Sequence, residues 1–208
     1  TGACAQSGTV HPCGPAPNNV DAAIAAIVPG QVDTTGAILD LGAAGANSIA
    51  AAPPSSTLAV PATVLSNNEG VAKSGRTTGL TCSTLQATNM TVSVAYDSSC
   101  GGAPAFTSIF NNQVIVNGGN FSAGGDSGSL IVTADTARPV ALLYGGNSTS
   151  TSGNPILDVL LALQDPNTHV QPSFVTSPDH AVSCQPTSIN PIAPGGPGAQ
   201  SGATLTTQ

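Results

Sequence analysis

The sequence predicts an all-β fold in which short strands joined by turns close into a barrel or sandwich, with one helix toward the C-terminus. Three observations carry this expectation. Hydrophobic residues make up 40% of the 208 positions, but only 6% are charged, 3% are aromatic and Trp is absent, so the core must be built from Ala, Val, Ile and Leu. With 24 Gly and 17 Pro, turns interrupt the chain too often for long helices. Residues 90–96 (MTVSVAY) alternate apolar and polar with the period of a half-buried strand.

Taken in order, residues 1–20 are rich in Gly, Pro, Cys and Asn and read as an irregular loop. Residues 21–28 are apolar and short enough for a buried strand, and 35–41 suggest another. Residues 56–65 contain Pro61, which allows only a broken or edge strand, and the chain up to about residue 70 reads as a linker into a second unit. Strands are expected at 80–85, 90–96, 106–110, 114–116, 130–133 and 140–144, with a Gly-rich run at 117–128. Residues 154–164 (NPILDVLLALQ) are the one good helix. Asn154 suits the N-cap, Pro155 the first helical position, and Ile156, Leu157, Leu160, Leu161 and Leu163 the apolar stripe. Pro166 ends it, and the Pro-, Ser-, Thr- and Gly-rich remainder reads as an extended or partly disordered tail.

Charge and cysteine content restrict the partners. The formal net charge is −7, and the only cations besides His are Lys73, Arg76 and Arg138, too few for a phosphate-binding stripe. Nucleic acid and an anionic membrane surface are therefore not expected partners. No apolar run approaches the roughly 18 residues needed to span a bilayer. With no initiating Met and no basic leader, Thr1 reads as a processed start. The five cysteines, Cys4, Cys13, Cys82, Cys100 and Cys184, form no CxxC pair, which argues against zinc and for disulfides in an oxidising compartment. Cys4–Cys13 and Cys82–Cys100 are the local pairings, which leave Cys184 over. No cofactor is called for.

The strongest local signal is Gly124-Gly125-Asp126-Ser127-Gly128-Ser129, followed directly by the apolar strand 130–132. A nucleophilic serine needs its hydroxyl on a tight turn and backbone N–H groups aimed at the developing oxyanion. Glycines beside Ser127 permit that turn, and the strand anchors it. The N–H groups of Gly125 and Ser127 would form the oxyanion hole. The alternative is a Gly-rich hairpin with an ordinary serine.

This motif resembles the GDSG[GS] signature of chymotrypsin-like serine proteases. Three further segments are similar to a bacterial, secreted branch of that family, in the same order: residues 18–25 (NNVDAAIA), 73–81 (KSGRTTGLT) and 154–160 (NPILDVL), with 121–129 (FSAGGDSGS) carrying the nucleophile. The resemblance covers about residues 18–163. It implies a chymotrypsin-like double β-barrel: residues 1–70 the remainder of an incomplete first barrel, 71–166 the second barrel and C-terminal helix, 167–208 the tail. It implies a secreted endopeptidase acting on peptide or protein substrates. Asp21 takes the triad aspartate position, where it would orient a histidine; otherwise it is a capping or surface Asp. Asp126 and Gly128 would support the oxyanion loop, and Tyr144-Gly145-Gly146 resembles the strand that pairs with substrate, or else is a core strand end. Lys73 and Arg76 fall in a segment that reads as structural, where a buried or bridging Arg is expected rather than a substrate contact.

The family order is His, Asp, Ser, with several strands between His and Asp. Here only His11 precedes Asp21, too closely for those strands, while His169 and His180 follow Ser127. None of the three is expected to be the triad base. Either an upstream segment outside this chain supplies it, or the protein is a catalytically incomplete protease fold with a binding or assembly role. On both readings the open first barrel calls for a filler: a cleaved N-terminal fragment, the tail or a neighbouring protomer.

Overall fold

The structure, a computed structural model, describes residues 3–6, 9–12, 20–42, 50–97, 104–184 and 204–206, with side chains for 20–42, 50–96 and 107–184. Strands β1 (Ala3–Gln6) and β2 (Thr9–Pro12) pair antiparallel as a separate hairpin. After a short helix α1 (Pro61–Ser66) come β3 (Gly70–Gly75), β4 (Gly79–Asp97), β5 (Pro104–Asn117), β6 (Leu130–Thr133), β7 (Pro139–Gly146) and β8 (Ser150–Pro155). Helix α2 (Ile156–Ala162) and β9 (Thr204–Thr206) complete the order. The sheet runs β3-β6-β7-β8-β5-β4-β9, and an added β3–β4 pairing closes all but β9 into an antiparallel barrel. Closure removes the unpaired edges that such strands would otherwise expose. The expected all-β class with a C-terminal helix is thus observed.

Period-two alternation sorts the side chains between two cores. Val71 and Ile131 join Leu85, Val114, Val116, Phe121 and Leu143 in one cluster. Their chain neighbours Ala72, Leu130 and Val132 join the second, which packs under α2 through Ile156 and Val159. A third cluster, Val92, Val94, Phe110, Ile115 and Tyr144, lines the long β4–β5 arm. Beyond α2 the chain forms a strap, residues 167–184, stitched down by Ser177 N–H to Pro54 O (2.9 Å) and Val182 N–H to Ala134 O (2.8 Å). Asp179 on the strap accepts from Arg138 and from the Ser55 hydroxyl.

Several sequence expectations are corrected. Residues 21–28 form no strand: no ladder pairs them, and Ile24, Ile27 and Val28 are more than half exposed. Residues 35–41 contribute a single bridge, Ile38 to Ala52. The edge strand expected around Pro61 is α1, because proline's fixed φ and missing N–H suit the first helical turn. Asn154 is not a helix N-cap; it is buried in β8, and its side chain bonds elsewhere. Leu157 and Leu161 lie on the exposed face of α2, which buries Ile156 and Val159 instead. Cys82 is bonded not to Cys100 but to Cys184, with Cα atoms 5.8 Å apart, because the strap brings residue 184 back to β4. The Cys4–Cys13 pairing lies outside the described side chains.

Candidate active site

Ser127 sits, exposed, at the corner of the turn that feeds β6. Ser129 N–H closes the turn on Asp126 O at 3.0 Å, and Gly128 N–H and Leu143 O meet at 2.7 Å, tying the turn to β7. Gly125 and Gly128 have φ of +100° and +90°, a region that side chains disfavour, so glycine at these two positions is what lets the chain bend there. The Ser127 hydroxyl donates to Tyr144 O at 3.3 Å, linking two of the sequence-predicted segments. Among the described residues, the N–H groups of Gly125 and Ser127 bond no protein acceptor. Both amides thus lie without a protein partner on the turn that carries the exposed hydroxyl.

The turn is held from beneath by Asp126, which is 1% exposed. Its Oδ1 accepts from Thr77 N–H (2.7 Å) and Thr78 N–H (3.2 Å). Its Oδ2 accepts from the Thr78 hydroxyl (2.7 Å) and Ala123 N–H (3.0 Å). Lys73, fully buried in β3, brings its ammonium to 3.5 Å from the same carboxylate and lies over the Phe121 ring at 5.7 Å. Burial pushes the Asp126 carboxyl up, but the bonds from Thr78, Ala123 and Thr77 and the charge of Lys73 outweigh it, so the group stays below its ordinary range. Burial pushes the Lys73 ammonium down by more than Asp126 restores. The carboxylate therefore rests mainly on hydrogen bonds, and the lysine balances the buried charge.

Asp21 lies near Tyr144 from another side. The buried Asn154 side chain grips its backbone twice, accepting from Asp21 N–H (3.1 Å) and donating to Asp21 O (3.0 Å). The Asp21 carboxylate accepts from the Tyr96 hydroxyl at 2.7 Å. Burial raises the Tyr96 phenol above its ordinary range, with the Asp21 bond and charge adding to the effect. Burial likewise raises Tyr144, and the Asp21 charge adds to it. Asp21 and Ser127 thus share Tyr144 as a neighbour but do not bond each other.

Gly145 and Gly146 continue β7 and pair with Ser152 and Thr151 of β8. Ser122 and Thr151 exchange a hydroxyl bond of 2.6 Å beside Gly146. His180 Nε2 contacts Pro53 O at 2.9 Å, and among the described residues neither it nor His169 bonds Asp21 or Ser127. The His11 side chain lies outside the described residues.

Sequence reasoning missed Tyr96, Asn154's role as a clamp, and the two threonines on Asp126. Of the buried or bridging Arg expected in segment 73–81, the buried form is not observed: Lys73 is buried, whereas Arg76 is exposed. The usable signal was a lone lysine among the small residues of strand GVAKSG, in a chain with few cations to spare.

No protein-family model and no curated protein matches the chain. Among solved structures it is similar to a glutamic acid-specific serine protease described as using a novel histidine triad in substrate binding. The likeness has 24% identity and a TM-score of 0.42, and it covers 65% of this chain and 60% of that one. The chain therefore spans less than two thirds of that protein's length.

Proposed function

We propose that this chain carries the nucleophile, oxyanion hole and supporting aspartate of a secreted serine endopeptidase. The observation that carries the reading is the exposed Ser127 hydroxyl beside the unengaged Gly125 and Ser127 amides, on a turn locked by buried Asp126. Ser127 Oγ attacks the scissile carbonyl carbon and gives its proton to a histidine from a segment upstream of this chain. The two amides hold the resulting oxyanion. Collapse expels the amine, which takes the proton from the imidazolium, and water then hydrolyses the acyl-enzyme. Asp21 orients the histidine, with Tyr96 fixing its carboxylate, and Tyr144, Gly145 and Gly146 pair with the substrate backbone. A fluorophosphonate probe should label Ser127 in material that includes the upstream segment. Its absence from Ser127 there, with the fold intact, rejects the reading.

A second reading, a catalytically incomplete protease fold that assembles with other chains, is favoured by one observation. Ile24, Ile27, Val28 and Val32 are each more than half exposed along a single segment, and an apolar stretch left open to water favours association. A sedimentation profile that stays monomeric at high concentration counts against it.

A further inference from the structure

Charge accounting singles out Arg76. The chain has three Lys and Arg residues against ten Asp and Glu. Lys73 is used by Asp126 and Arg138 by Asp179. Arg76 is exposed and, among the described residues, makes neither an ion pair nor a side-chain hydrogen bond. In so acidic a chain, a guanidinium left without a carboxylate among the described residues is the exception.

Its position gives the exception a meaning. Arg76 stands at the head of the β3–β4 turn, and Asp126 fixes that turn by accepting from Thr77 N–H and Thr78 N–H. The Thr77 hydroxyl donates to Gly124 O at 2.8 Å, joining the same turn to the loop before Ser127. One guanidinium nitrogen of Arg76 lies 3.2 Å from where a Cβ on Gly125 would stand. The cation therefore rests against the backbone of a proposed oxyanion-hole residue, on a turn already anchored before any ligand arrives. A pre-anchored site loses less conformational freedom on binding. The planar fork of arginine suits a carboxylate, which can accept two parallel N–H bonds.

We propose that Arg76 is a specificity-determining residue that selects a carboxylate, on a side chain or at a C-terminus, in the substrate segment lying over Gly125. This rests on the endopeptidase reading for the direction in which substrate runs, and it names the substrate class of that same site. Residues bearing Asp or Glu close to the scissile bond are favoured over their amides. The surrounding negative charge of the protein limits the effect to substrates whose carboxylate reaches Arg76 itself.

The test is fluorescence anisotropy on the full chain with acetylated hexapeptides in which one Glu is walked through every position. Each is paired with its Gln twin, and each is made with a free and an amidated C-terminus. At one or two adjacent positions the Glu peptide should bind about fivefold tighter, the scale of a solvent-screened charge-assisted contact. That preference should vanish in Arg76→Gln, shrink in Arg76→Lys and weaken with added salt. A preference for free over amidated C-termini, shared by Glu and Gln twins, identifies the terminal carboxylate as the recognised group. Equal binding of Glu and Gln peptides together with equal binding of free and amidated C-termini, or a carboxylate preference that survives in Arg76→Gln, overturns the proposal. Fluorophosphonate labelling of Ser127 in the material with the upstream segment separates the two readings. Labelling without a carboxylate preference removes only the role of Arg76, whereas an Arg76-dependent preference without labelling removes only the peptidase.

Discussion

At the scale of single residues, the buried Lys73–Asp126 pair is the point at which stability and site geometry meet. Removing one member leaves the other charge buried without its balance, so Lys73→Met should cost about 3 kcal/mol in urea unfolding. Adding Asp126→Asn should recover part of that loss, because a neutral pair carries no uncompensated charge. Both variants should label more slowly at Ser127 in material with the upstream segment, since Asp126 holds the loop that presents the hydroxyl. The acid limb of stability follows from the same group together with Asp179. The Asp179 carboxyl is held low by its bonds from Arg138 and Ser55, and the Asp126 carboxyl by its hydrogen bonds and Lys73. A depressed folded-state value means that the unfolded chain binds the proton more readily. Their contributions are therefore full well above the ordinary value of 3.8, decline as pH falls through it, and are gone below the depressed folded values. Thermal melts should be flat near neutrality and drop below about pH 4, with Asp179→Asn showing a shallower drop.

At the scale of elements, the strap matters as much as the barrel. It touches the segment around Pro54 and the β6–β7 turn, and the Cys82–Cys184 bond closes it across a separation of 102 residues. On the chain-entropy account, a loop of that length contributes about 4–5 kcal/mol. Cys184→Ser should lower the unfolding free energy by up to that amount and admit protease within residues 167–184, as peptide mapping would show. The barrel strands themselves were readable. Alternation at 90–96 follows from one face being buried and the apolar runs at 130–133 and 140–144 from both faces being buried, and β4, β6 and β7 cover those ranges. β8 was not readable, because its sequence STSGNP carries no apolar alternation even though every residue of it is buried. Two of its buried polar side chains meet partners far along the chain, Asn154 at Asp21 and Thr151 at Ser122, which local pattern does not reveal. The Cys82–Cys184 pairing was hidden for the same reason: spacing favours nearby partners, while the strap's return is a property of the fold.

At the scale of the whole molecule, the barrel and the segment before it differ in how they bury apolar surface. The barrel hides its valines and leucines, whereas the segment that leads away from Asp21 leaves Ile24, Ile27 and Val28 between 54% and 68% exposed. The chain should bind the dye ANS more strongly than a closed barrel of its size, and Ile24→Ser with Val28→Ser should reduce that binding without lowering the melting temperature by more than about 2 °C. The candidate site was legible from the sequence as far as the turn around Ser127, because glycine and serine chemistry there is local. Tyr96 meeting Asp21 was not, since it joins residues 75 positions apart. Covalent closure between positions 82 and 184 has one more consequence: β5 to β8, α2 and the serine turn all lie within a single ring. A backbone cut at any one bond inside that ring opens it without releasing a fragment. A chain nicked in a loop there would keep its mass on a non-reducing gel and separate into two bands only after reduction.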